Sequence, residues 1–140
     1  MARMLEAIGF RHIRGYLTGG ITGWRAAKLQ VQTTPVLDIP ALAERLEKKE
    51  VVLLDVRDAG EWEAGHVEGS IHFPYWRLRE EVPDEVWNAE KPLAVACASG
   101  VRSTLAASFL VRAGVKNVQH VADGGVPMLA EEGIELIKGT

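Results

Sequence analysis

The run Cys97-Ala98-Ser99-Gly100-Val101-Arg102-Ser103 places a nucleophilic sulfur and a guanidinium with four residues between them, on a stretch of otherwise small side chains. Small residues and Gly100 let the backbone curl until successive amide N–H groups point at one spot, which makes an anion cradle. A helix entered directly after it would add its positive end, and Arg102 a permanent cation with donors suited to an oxyanion. All three effects favour a thiolate. Bringing a cysteine pKa from about 8.5 to below 7 takes roughly 2 kcal/mol. A helix end supplies about 0.3 to 1 kcal/mol, so the amides and Arg102 must supply the remainder. No histidine adjoins the loop, and His72 and His120 lie elsewhere in the chain. Activation is therefore expected to be electrostatic rather than by a base. The competing reading makes Cys97 a small apolar residue that closes a buried strand.

The flanking sequence says what must position this loop. Residues 51–56, VVLLDV, and 92–97, PLAVAC, are short apolar runs that read as buried strands. STLAASFLVRAG, residues 103–114, has Leu105, Phe109 and Leu110 at helical spacing and ends on Gly114, suited to a left-handed cap. Asp38 ahead of IPALAERLEKK, with Pro40 in the first turn and Lys48 and Lys49 in the last, predicts a second helix ending near Lys49. Strands and helices alternating over short connections predict an α/β fold with a mostly parallel central sheet flanked by helices on both faces. Ligands of such sheets bind beyond the carboxyl ends of the strands, where Cys97 stands.

Composition narrows the chemistry. Sixteen Lys and Arg against 19 Asp and Glu give a net charge of -3, which leaves no broad basic surface for a nucleic acid. One cysteine makes neither an internal disulfide nor a thiolate zinc cluster nor a two-cysteine redox motif. His66 and His72 have no helical metal spacing, so no metal is expected. The first residues, MARMLEAIGFRHIR, hold no apolar stretch long enough for a signal peptide or membrane helix. A reducing cytoplasm and no membrane partner are the expectation.

Residues 9–31 and 114–136 align without a gap, Gly9 on Gly114 and Gly19-Gly20 on Gly124-Gly125, with the apolar positions in phase. The spacing is that of one small domain, so residues 1–31 read as the tail of a preceding, similar domain and residues 32–35 as a linker. Too short for a core of their own, residues 1–31 are expected to dock as a short helix, strand and helix on the complete domain, residues 36–140.

Three separated motifs, LLDVRDAGEWEAGHVEGSIHFP (53–74), CASGVRS (97–103) and VKNVQHVADGG (115–125), together resemble a rhodanese-type sulfurtransferase domain over residues 36–137. Residues 1–31 resemble the end of another such domain, including GGITGW at 19–24, so the parent is expected to be a tandem-rhodanese protein. Some tandems of this kind follow a metallo-β-lactamase-type persulfide dioxygenase domain, which stays open here as a fused partner.

The resemblance implies ping-pong sulfur transfer through a Cys97 persulfide. The donor would be thiosulfate or a persulfide, and the acceptor a thiol or cyanide. Arg102 would steer an anionic donor, the amides of residues 98–103 would hold the outer sulfur, and no cofactor would be needed. Asp55 and Arg57 match family positions near the floor of the site, with a supporting role, against the alternative of an ordinary structural ion pair. His66 would organise the turn before the next strand. The family often has Trp after the double glycine, as at Trp24, whereas the second copy has Leu129. Phosphatases and arsenate reductases of the same fold use C-x5-R loops; the shorter C-x4-R ring here suits one sulfur atom better than a phosphate. The other alternative is a non-catalytic module for docking or regulation.

Overall fold

The computed structural model describes residues 14–139. The chain divides into two units, residues 1–33 and 34–140. Among the described residues of the first, helix α1 spans Gly20–Ala26, is entered through left-handed Gly19 and buries none of its residues. Trp24 Nε1 donates to the carbonyl of Gln30 at 2.9 Å, folding the chain after α1 back towards it. What the sequence reading placed on residues 1–13 lies outside the described residues.

The second unit carries the sheet. Strands β1 (Val36–Leu37), β2 (Val52–Asp55), β4 (Ile71–His72), β5 (Leu93–Ala96) and β6 (Val118–Val121) form one five-stranded sheet in the order β1-β6-β5-β2-β4. Every pairing in it is parallel, with Leu54 opposite Val95 and Val95 opposite His120. A separate antiparallel pair joins β3 (His66–Val67) to β7 (Leu136–Ile137).

Helices cover both faces because the strands alternate on a period of two. Along β5, Leu93 and Val95 enter one apolar cluster with Ala106, Ala107 and Leu110 of α5 (Val101–Ala113), and α4 (Asp84–Trp87) adds Val86 to it. Ala94 and Ala96 enter the opposite cluster with Leu42 and Ala43 of α2 (Ile39–Glu47) and with Val126 and Leu129 of a 3-10 turn. Cys97 continues the first alternation and faces α5.

The caps agree with the sequence. Asp38 accepts from the Ala41 amide at 2.9 Å, and Gly114 ends α5 at φ 102°. The helix read as 103–114 begins two residues earlier, at Val101, since Gly100 at φ 90° takes the left-handed cap position and frees the next residue to enter the helix. One further helix, α3 (Ala59–Ala64), follows β2, opened by Asp58 and Glu61 in a capping box, with the Asp58 amide donating to Glu61 Oε2 at 3.3 Å.

Candidate active site

Cys97 lies one residue past the carboxyl end of β5, where its loop turns into α5. Its neighbours make the local shape. The Cys97 carbonyl accepts from the Val126 amide at 2.8 Å, which ties the loop to the segment after the double glycine. A Cβ built on Gly125 would stand 2.0 Å from that carbonyl oxygen and 2.5 Å from the Ala98 carbonyl carbon, so only a glycine lets the two segments meet. Gly124 is less confined: a Cβ there would meet the side chains of Ile39 at 2.7 Å and Met128 at 3.0 Å rather than backbone. On the other side Gly100 presses on Ala122 and Asp123, its hypothetical Cβ 3.3 and 3.2 Å from their backbones. The double glycine that the sequence offered only as a motif is thus the surface on which the cysteine loop rests.

Around the sulfur, main-chain amides and one hydroxyl converge. The Gly100 amide donates to Cys97 Sγ at 3.1 Å, and the Ser103 hydroxyl lies 3.7 Å from it. Ser103, itself buried, is positioned by the Gly100 and Val121 carbonyls, each 2.9 Å from its Oγ. Burial of Cys97 pushes its thiol pKa up. The amides of Ser99, Ser103 and Gly100 and the Ser103 hydroxyl outweigh that, and the net displacement is below the ordinary thiol value. Main-chain dipoles, more than a charged partner, stabilise the thiolate. Cys97 is 0% exposed, whereas Ser99 and Val101 of its loop are exposed and Ala98 and Arg102 half-buried.

Arg102 occupies an unforeseen arrangement. Its Nη1 and Nη2 donate to the two carboxylate oxygens of Glu61 at 2.5 and 2.8 Å, and Nη1 also reaches Asp58 Oδ2 at 3.1 Å. Glu61 raises the Arg102 pKa further above its ordinary value, with Cys97 a smaller contributor, and Arg102 in turn lowers that of Glu61. The guanidinium is within electrostatic reach of the sulfur while its hydrogen bonds run to carboxylates. The D-x-x-E spacing of 58–61 was a visible helix-start signal, but nothing local tied it to a residue 41 positions later.

Asp55 and Arg57 form a buried fork: Arg57 Nη2 and Nε donate to Asp55 at 2.6, 2.9 and 3.0 Å, and Nη2 also donates to the Gly65 carbonyl at 2.8 Å. His72 Nε2 donates to the Arg57 carbonyl at 2.9 Å. These bonds brace the carboxyl end of β2 and the turn after α3. His66 sits in β3, donates from Nδ1 to the Trp62 carbonyl at 3.0 Å and stacks on the Trp62 ring, whose centroid is also 4.7 Å from that of His72. Among the described residues no group of three or more His, Cys, Asp or Glu is placed to hold a metal. Leu129, where Trp was expected by resemblance, is fully buried in the α2-side cluster. A cavity of about 550 Å³ lies at the amino ends of β2 and β5, lined by Lys49, Val51, Lys91 and Ile137, at the opposite end of the sheet from Cys97.

A family model of the rhodanese-like domain matches residues 38–131. A rhodanese-related protein from Thermoplasma volcanium is 32% identical and superposes with a TM-score of 0.63 over 75% of this chain and 99% of that one. A rhodanese from E. coli solved with anions is 26% identical, with a TM-score of 0.52 over 64% and 99%. Among curated proteins, a tRNA uridine(34) hydroxylase of Photorhabdus laumondii is 29% identical over 99 residues, and one of Yersinia pestis 31% over 87. The matches take in 68% and 59% of this chain but 28% and 24% of those proteins, so the chain spans about a quarter of their length.

Proposed function

Since the chain belongs to the rhodanese-like domain family, we propose that it is a sulfurtransferase that carries sulfane sulfur on Cys97. The carrying observation is the amide-lined sulfur: a thiol held below its ordinary pKa by main-chain donors at the carboxyl end of a parallel strand. The thiolate attacks the outer sulfur of thiosulfate or a persulfide, a new S–S bond forms, and the donor's own S–S bond breaks with its electron pair leaving on sulfite or thiolate. An acceptor thiolate or cyanide then attacks the outer sulfur of the Cys97 persulfide and returns the pair to Cys97. No net redox change or cofactor is involved. The N–H groups of Ser99, Gly100 and Ser103 that hold the thiolate are suited, with their neighbours in residues 98–103, to hold the terminal sulfur, and Ser103 to orient it. Asp55 and Arg57 support the floor without entering the chemistry. A reducing cytoplasm would keep the thiol free between turnovers.

The names of the curated relatives favour a second reading, in which this domain is one part of a tRNA-modifying enzyme. The net charge of -3 speaks against nucleic acid held by this domain on its own. Loading the purified protein with thiosulfate or a persulfide, then adding cyanide, separates the readings. Sulfur transfer gives thiocyanate and an intermediate heavier by one sulfur at Cys97. A hydroxylase part or a docking module gives neither. Cys97→Ser should abolish thiocyanate release with the circular dichroism unchanged; turnover surviving in that variant would remove Cys97 as the nucleophile.

A further inference from the structure

The cation expected to draw anionic donors to Cys97 is already neutralised within the fold. Among the described residues the Arg102 side chain makes three hydrogen bonds, all to carboxylates, two to Glu61 in a fork and one to Asp58. The cluster holds one positive charge against two negative ones. Arg57, the other cation near Glu61, is itself forked onto Asp55 in a buried pair. Arg102 lies in the first turn of α5, next to the loop, and its side chain is 24% exposed, so this balance of charge stands beside the approach to the sulfur.

We propose that Glu61 is a specificity-determining residue that screens Arg102 and biases the Cys97 loop toward hydropersulfide donors of low charge over dianionic donors such as thiosulfate. The inference rests on the sulfur-transfer reading for its substrate, though not for its electrostatics. A dianion approaching the loop meets two carboxylates and a guanidinium that has three of its five N–H donors turned to them, so its net attraction to Arg102 is weakened. A donor of little net charge needs no such attraction, because the two carboxylates do not repel it. Glu61 acts through Arg102 and does not touch the reacting atoms, so it is a positioning residue. Asp58 contributes the weaker share, from a side chain that is 60% exposed.

The test compares wild type with Glu61→Gln, which keeps the side-chain shape and removes the charge. Alkylation of Cys97 by iodoacetate, an anion, and by iodoacetamide, its neutral counterpart, reads the field at the sulfur without any sulfur transfer. The iodoacetate-to-iodoacetamide rate ratio should rise about three- to tenfold, as expected for removing one nearby charge. The ratio of kcat/KM for thiosulfate to that for cysteamine persulfide, a donor with an ammonium and no carboxylate, should rise in parallel. A purely structural Glu61 would change both reagents alike and leave the alkylation ratio flat, which overturns the proposal. An alkylation ratio that moves while the donor ratio stays fixed overturns the substrate bias. If neither donor loads the wild type, the sulfur-transfer reading fails while the alkylation ratio still decides the screening. Asp58→Asn, which preserves a good helix cap, should move the same ratio in the same direction by less, and it keeps the proposal testable if Glu61→Gln does not fold.

Discussion

At the scale of single residues, two opposing effects meet on Cys97. Burial favours the neutral thiol, while the amides of Ser99, Ser103 and Gly100 and the Ser103 hydroxyl favour the thiolate, and the thiolate side prevails. The folded-state pKa is therefore lower than in the unfolded chain. The thiolate's contribution to stability is present above the unfolded pKa and is lost as pH falls through the folded one. The same sign governs reactivity: the midpoint of the alkylation rate against pH should lie below that of the protein unfolded in denaturant. Midpoints are the proper comparison because the 0% exposure of Cys97 slows the plateau rate without moving the midpoint. A folded midpoint at or above the unfolded one would mean that burial wins and that the cradle is too weak to prepare a nucleophile.

Between elements, the decisive contact is the one between the cysteine loop and the double glycine after β6. Gly125 has an extended backbone, φ -175°, which any residue adopts, so its requirement is purely one of space. In Gly125→Ala the new methyl would fall 2.0 Å from the Cys97 carbonyl oxygen, and the two segments must separate. Overpacking of this kind costs about 1–3 kcal/mol. Because the displaced segment carries the Gly100 amide that bonds Sγ, the lowered thiol pKa should be lost together with stability. Chemical denaturation and the alkylation midpoint check the two effects on the same sample; a variant with both unchanged would show that the loop does not depend on this approach.

The same contact shows what a sequence makes legible. Strands β2 and β5, helices α2 and α5 and the loop between β5 and α5 were readable because their signals are local: an apolar run, an Asp cap, a terminal glycine. The Glu61–Arg102 fork and the clearance at Gly125 depend on segments brought together only by the order of strands in the sheet. Arg102 could be recognised as a cation beside the thiol, but its carboxylate partners are Glu61 of α3 and Asp58 that caps it, and the sequence holds no periodicity that joins α3 to α5. Asp55 and Arg57, two residues apart on β2 and its exit, were legible as a pair. Their complete burial, which makes them a brace, was not.

At the scale of the whole molecule, both apolar clusters are built from residues of the second unit, from Leu37 to Val118 and Leu129. Every partner named for Cys97, Arg102 and Ser103 also falls within residues 34–140. A sheet covered on both faces by its own helices has the core that a chain of this length needs for cooperative folding. A protein beginning at Thr34 should therefore unfold in a single transition that coincides by circular dichroism and by tryptophan fluorescence, since Trp62, Trp76 and Trp87 remain in it. Its Cys97 should keep the lowered alkylation midpoint of the full chain. Two separate transitions, or a midpoint that returns to the value of the unfolded protein, would mean that residues 1–33 supply part of the structure that holds the sulfur. In that case the site would belong to the whole chain rather than to the sheet alone.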